Sequence, residues 1–164
     1  MTSRVPSLGP RGEGWVALQV ACFGLIAAAL VFAPHESDTD PGSIGTRQLL
    51  GYIIGTVGAV MIGSGIAELR RARALTAVPH PLPEATLVER GAYRFVRHPV
   101  YGGLILGALG LAVITPWPGT FAAVAVLAIV LDLKRRREEA WLAERFPGYP
   151  AYRARTKALI PLLY

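Results

Sequence analysis

The chain has 164 residues, 52% of them hydrophobic and 17% charged, with a formal net charge of +6 and a mean hydropathy of +0.41. That balance is too apolar for an ordinary soluble domain of this size and places the chain in a membrane. The basic excess reads as a topology signal with anionic-lipid contact: once the apolar stretches are set aside, no basic stripe with interleaved aromatics is left to suggest nucleic acid.

Four stretches are tested against the roughly 20 helical residues that a ~30 Å bilayer core requires. The first, 15 to 33, reads "WVALQVACFGLIAAALVFA" and carries no charge. It is longer than the ~7 to 15 apolar residues of a signal peptide, and Pro34, His35 and Glu36 do not form a small-residue cleavage site. Cys22 stands alone in mid-span, so there is no disulfide framework. The loop that follows holds Glu36, Asp38 and Asp40 against Arg47 and is expected to face outward. The second span, 49 to 67, is also uncharged, and Gly51, Gly55, Gly58, Gly63 and Gly65 give it the small-residue spacing that lets helix backbones meet in lipid.

Between residues 68 and 98 stand six arginines, Arg70, Arg71, Arg73, Arg90, Arg94 and Arg97, which assign this segment to the cytoplasmic side. The third and fourth spans, 100 to 115 and 117 to 133, are shorter and joined through "PWP", which reads as a tight antiparallel hairpin. Gly103, Gly107 and Gly110 extend the glycine spacing into the third. Lys134, Arg135, Arg136 and Arg137 then open a cytoplasmic tail. Arg135 reads as a topology charge, and Asp132 is expected to pair with a neighbouring arginine. The expected architecture is an all-α integral membrane bundle: one domain over 1 to 164, four spans, a cytoplasmic helical tail and both termini inside.

The chemistry gathers at "RFVRHPVYGG", 94 to 103. A residue before proline avoids helical geometry and proline suits the first helical position, so the third span should start at Pro99 just after His98. That start offers free N–H groups and the positive dipole end between Arg94 and Arg97, an anion site, with Tyr93 and Tyr101 beside it. Gly102 and Gly103, in the first turn, would leave room for a ligand. Glu138 and Glu139 lie beyond the fourth span at the same membrane face. S-adenosylmethionine fits such a set: its carboxylate at Pro99 and Arg97, its ammonium at either glutamate, its sulfonium against a tyrosine face. A dinucleotide phosphate would share the arginines but not the glutamates. The plainer alternative is headgroup anchoring by arginine and tyrosine, with the glutamates pairing Lys134 and Arg135 at i, i+4. The three histidines, His35, His80 and His98, lie on different segments at no metal-site spacing.

"LVERGAYRFVRHPVYGGLIL", a hairpin, and then "RRREEAWLAERFPGYPAYRARTKALIP" resemble the isoprenylcysteine carboxyl methyltransferase and phospholipid methyltransferase superfamily over residues 87 to 161. The resemblance implies an integral membrane enzyme that uses S-adenosylmethionine to methylate a lipophilic acceptor, isoprenoid, prenylated or lipid, at the cytoplasmic face, with carboxyl O-methylation expected and amine N-methylation left open. It implies cofactor contacts at Tyr93, Arg97, His98, Pro99, Tyr101, Gly103, Glu138 and Glu139, with Arg94 matching the lead-in, and Gly102 joins them by its place in the first turn. Tyr149, Tyr152 and Arg153 match the tail where acceptor and cofactor meet, and Glu139 and Arg153 are the implied catalytic pair, Glu139 taking the proton where the acceptor is an amine. Ala92 replaces the usual lead-in proline, and Pro147 with Gly148 shifts the usual Phe-Gly. The rival readings are an NADPH-dependent sterol-type reductase and a non-enzymatic membrane scaffold.

Overall fold

The computed structural model describes residues 5–34 and 45–160. The acidic loop containing His35, Glu36, Asp38 and Asp40 lies outside the described residues. Among those described there are five α-helices and no strand: α1 (Glu13–Phe32), α2 (Thr46–Arg71), α3 (Pro99–Ile114), α4 (Pro118–Arg145) and α5 (Tyr149–Arg155). A 3-10 turn over Gly91–Arg94 precedes α3.

The local signals act where the sequence places them. Pro99 is the first residue of α3, with His98 non-helical before it at φ −130° and ψ 63°. Pro118 opens α4 in the same way, and the Thr120 hydroxyl secures the hairpin by donating to the carbonyls of Thr115 (2.9 Å) and Trp117 (2.7 Å). The fourth helix does not stop near residue 133. It runs unbroken for 28 residues, about 42 Å at 1.5 Å per residue. The basic run and both glutamates are strong helix formers with no glycine or proline among them, so nothing ends the helix before Phe146.

Two helices, α1 and α2, are long and apolar enough to cross a membrane, and α3 is apolar but has 16 residues. Val20, Leu25, Val31, Phe32, Leu50, Tyr52, Val60, Phe121 and Ile129 are exposed. So much outward apolar surface is what a lipid-facing belt requires and what a water-soluble domain avoids.

Two packing modes hold the bundle. Cys22, Ile26 and Ala29 of α1, Ala108 and Ala112 of α3, and Ala123, Val124, Leu127 and Leu131 of α4 form one apolar core. Helices α2 and α3 instead meet backbone to backbone. A Cβ on Gly58 would fall 2.6 Å from the Gly103 carbonyl oxygen, and one on Gly110 would fall 2.6 Å from that of Gly51. Dispersion between closely approached backbones is the available attraction where lipid replaces water. Gly63 faces nothing within 4 Å and takes no part.

Candidate active site at the charged end of the bundle

The chain alternates direction, so the start of α1, the end of α2, the start of α3 and the second half of α4 share one end of the bundle. The segment 74–88 folds across that end without helix or strand. Lys134 Nζ donates to the Ala77 carbonyl at 2.9 Å, Arg145 Nη2 to the Pro83 carbonyl at 2.6 Å, and the His80 ring meets Trp141 edge-on with centroids 5.1 Å apart. Together these elements enclose a cavity of about 430 Å³, a size ordinary for a small-molecule site. Val16, Ile66, Leu69, Leu75 and Leu104 make part of its lining apolar; Tyr93, Arg97, His98, Tyr101, Glu138 and Tyr149 supply polar groups.

The adjacent glutamates diverge because successive helical residues point about 100° apart. Glu138 lines the cavity. Its carboxylate accepts from the Tyr101 hydroxyl at 2.7 Å and lies 3.8 Å from His98 Nδ1. The His98 ring stacks parallel on Tyr101, centroids 5.3 Å apart. Glu139 turns away from the cavity, 4% exposed, toward three arginines and the His98 ring. Arg97 Nε donates to it at 3.0 Å, Arg135 Nη1 lies at 3.5 Å, Arg153 Nε at 3.4 Å, and His98 Nε2 at 3.3 Å, near but without hydrogen-bond geometry. Burial alone would raise the Glu139 carboxyl, but His98 and Arg97 outweigh it and hold it down at about 2.

The C-terminal segment completes the end wall. Val96 and Lys157 pair as an isolated parallel bridge, the Arg97 amide donates to the Lys157 carbonyl at 2.8 Å, and the His98 amide to the Ala158 carbonyl at 3.0 Å. Arg97 Nη1 reaches the carbonyls of Arg153 (3.1 Å) and Thr156. The Tyr152 hydroxyl donates to the Tyr93 carbonyl at 2.7 Å. Tyr149 is 1% exposed and lines the cavity, and its hydroxyl has no partner among the described residues. Burial pushes the Tyr93, Tyr149 and Tyr152 hydroxyls well above the ordinary phenol range, so all three stay protonated donors.

Several expectations need correction. Gly102 and Gly103 make no room for a ligand: the Leu159 carbonyl oxygen sits 2.1 Å from where a Cβ of Gly102 would be, and the Gly58 carbonyl 2.6 Å from that of Gly103. Their missing side chains admit the tail and α2. Pro99 is buried and outside the cavity lining, and the backbone of residues 157–159 lies against the start of α3 where an anion was expected. Arg94 is exposed over the Phe95 ring, 5.9 Å from its centroid. Arg97 lines the cavity, yet its guanidinium is spent on Glu139 and tail carbonyls. Glu139, already ionised and enclosed by cations, is poorly placed as a proton acceptor for a ligand. Arg153 keeps a 61% exposed side chain and touches Glu139 instead of the cavity.

Asp132 pairs as expected, with Arg135 Nε at 2.8 Å and Arg136 Nε at 2.7 Å. Arg135 does not behave as a mere topology charge: it is 5% exposed and bridges Asp132 to Glu139. From sequence, "LTAVPHPLP" at 75 to 83 resembles the loop that precedes the family core but carries no site role, so the wall at 74–88 was not expected, nor was Gln19, a lone amide within an apolar span.

Over 82 residues the chain is 40% identical to the cobalt-zinc-cadmium resistance protein CzcN of Cupriavidus metallidurans, covering 48% of this chain and 37% of that protein. Over 79 residues it is 37% identical to the nickel-cobalt-cadmium resistance protein NccN of Alcaligenes xylosoxydans xylosoxydans, covering 47% of this chain and again 37% of the relative. The match thus spans little more than a third of either relative's length. The family model described as phospholipid methyltransferase matches residues 46–148, from the start of α2 to the start of α5. With well over half of its residues inside that match, the chain belongs to the phospholipid methyltransferase family.

Proposed function

We propose that the chain transfers a methyl group from S-adenosylmethionine to a lipophilic acceptor, an isoprenoid, prenylated or lipid carboxylate, at the cytoplasmic face of the membrane. The observation that carries this reading is Glu138, fixed by Tyr101 and facing a 430 Å³ cavity whose remaining lining mixes tyrosine rings with aliphatic side chains. The donor set suits the cofactor: a carboxylate for its ammonium, the rings of Tyr93, Tyr101 and Tyr149 for a positive sulfur, and the unpartnered Tyr149 hydroxyl as a hydrogen-bond donor. When bound, S-adenosylmethionine supplies an electrophilic methyl on a sulfonium.

The protein's part is alignment and exclusion of water. Segment 74–88 and the C-terminal segment cover the cavity, while Ile66, Leu69, Leu75, Val100 and Leu104 offer an apolar path for an acceptor chain. A carboxylate acceptor carries no proton to remove, so no base is required. For an amine acceptor Glu138, not Glu139, has the position to take the proton. The basic segments flanking this end of the bundle favour a cytoplasmic orientation. The relatives' names concern metal resistance, but among the described residues no group of three or more His, Cys, Asp or Glu gathers to hold a metal ion.

The test is incubation of purified protein with methyl-labelled S-adenosylmethionine and a total lipid extract. Label should appear in an apolar product and be released as methanol by mild base if an ester has formed. Absence of transfer, together with absence of stabilisation by S-adenosylhomocysteine, would sink the proposal. Stabilisation by NADPH in its place would favour a reductase.

A further inference from the structure

Lys134 is unlike the other basic residues of α4. It is 1% exposed, and its Nζ donates to Gln19 Oε1 of α1 at 2.7 Å and to the Ala77 carbonyl at 2.9 Å. The ammonium also lies 5.1 Å from the centroid of the Tyr101 ring. Lys134 and all three of these partners line the cavity. Every partner is neutral, and among the described residues no carboxylate stands at ion-pair distance from Nζ. Glu138, one turn along, is engaged by Tyr101 and His98 instead.

An ammonium has three donors, and two are accounted for. A buried charge is ordinarily paired, because neutral acceptors replace only part of its lost hydration. A buried cation whose hydrogen-bond acceptors are all neutral, and on which Glu138 acts only through space from one turn away, therefore has its third donor left for an anion inside that cavity. Arg97, the other cation on the wall, already has its counter-charge in Glu139. A single ammonium close to Glu138 matches a monoanion better than a doubly charged phosphate.

We propose that Lys134 binds the carboxylate of a cavity ligand, with Gln19 and the Ala77 carbonyl positioning its ammonium. Under the methyltransferase reading, on which the choice of ligands rests, that carboxylate belongs either to the amino-acid end of the cofactor or to the acceptor. In the first case Lys134 and Glu138, spaced i, i+4 on one helix, receive the two charges of a zwitterion. In the second, Lys134 selects carboxylate over amine acceptors.

Binding to the full chain in detergent or nanodiscs separates the cases without requiring turnover. The probes are S-adenosylhomocysteine against its carboxamide, and farnesoate against its methyl ester. Wild-type protein should prefer the carboxylate member of at least one pair by about ten-fold or more. Lys134→Met should abolish that preference and Lys134→Arg should retain most of it. Loss confined to the first pair assigns the cofactor carboxylate, and loss confined to the second assigns the acceptor. Should Lys134→Met fail to fold, Lys134→Gln keeps a hydrogen-bonding group toward Gln19 without the charge and is measured in its place. Equal binding within both pairs by wild-type protein, or a preference that survives loss of the charge, overturns the inference. Protein that transfers labelled methyl yet shows no carboxylate preference overturns it alone, leaving the proposed function standing.

Discussion

Glu138 and Glu139 are neighbours on one helix, yet they belong to regions with opposite physical character. Behind the cavity wall, Glu139 is closed in by Arg97, Arg135 and Arg153 and is only 4% exposed. In front of it, Glu138 shares the cavity with His98, Tyr101, Lys134 and Tyr149. The first region is an ionic clamp that fastens α4 to the segment before α3 and to the C-terminal segment. The second holds polar groups whose protein partners are few, as a binding surface requires. One turn of helix thus serves as both fastening and site, because two consecutive side chains emerge on different faces.

The sharpest way to break this contrast is to delete each carboxylate in turn. Glu139→Ala strands Arg97, whose side chain is 9% exposed, without its counter-charge and leaves Arg135 with Asp132 alone; it should cost about 3–5 kcal/mol, seen as a large fall in melting temperature in detergent. Glu138→Ala should leave melting nearly unchanged while weakening S-adenosylhomocysteine binding about ten-fold or more. Equal thermal losses in the two variants would erase the distinction.

Next in size is the contrast between arginines one residue apart. Arg135→Ala removes a 5% exposed residue bridging Asp132 and Glu139 and should destabilise by several kcal/mol, whereas Arg136→Ala, whose side chain is 53% exposed, should cost less than about 1 kcal/mol. Comparable chemical-denaturation midpoints would show that burial of Arg135 contributes nothing.

Acid should reach the two regions differently. The Glu139 carboxyl is lowered from an ordinary 4.5 to about 2. Its contribution to stability is therefore fully present above about pH 4.5 and is lost as pH falls toward 2. Melting temperatures taken from neutral pH down to about 3 should decline in wild-type protein, and Glu139→Gln should flatten that part of the decline. An unchanged slope in the variant would assign the acid sensitivity elsewhere.

The smallest effect is expected at Tyr149. Its hydroxyl has no partner among the described residues, so Tyr149→Phe should leave stability unchanged or slightly improved, while cofactor affinity drops by no more than about ten-fold. A marked thermal loss would mean that the hydroxyl belongs to the clamp.

Much of this was legible in the chain itself. Pro99 starts a helix where its fixed φ predicts, the apolar run at 49 to 67 falls within α2 and that at 15 to 33 within α1 but for Ala33, and Asp132 finds its arginines. The gathering of His98, Tyr101 and Glu138 was also foreseen from residue chemistry and resemblance. The roles of Gly102, Arg97 and Arg135 were not, because each depends on what another segment places beside it: the Leu159 carbonyl, the tail backbone, the Glu139 carboxylate.

By itself the sequence determined helix class, apolar faces, helix starts and the supply of charge near one end of the bundle, since these follow from local propensity, periodicity and composition. Only the tertiary structure decided which charges neutralise one another and which face the cavity. Burial and distance set the energy of a charge, and both are properties of neighbours brought in from elsewhere in the chain.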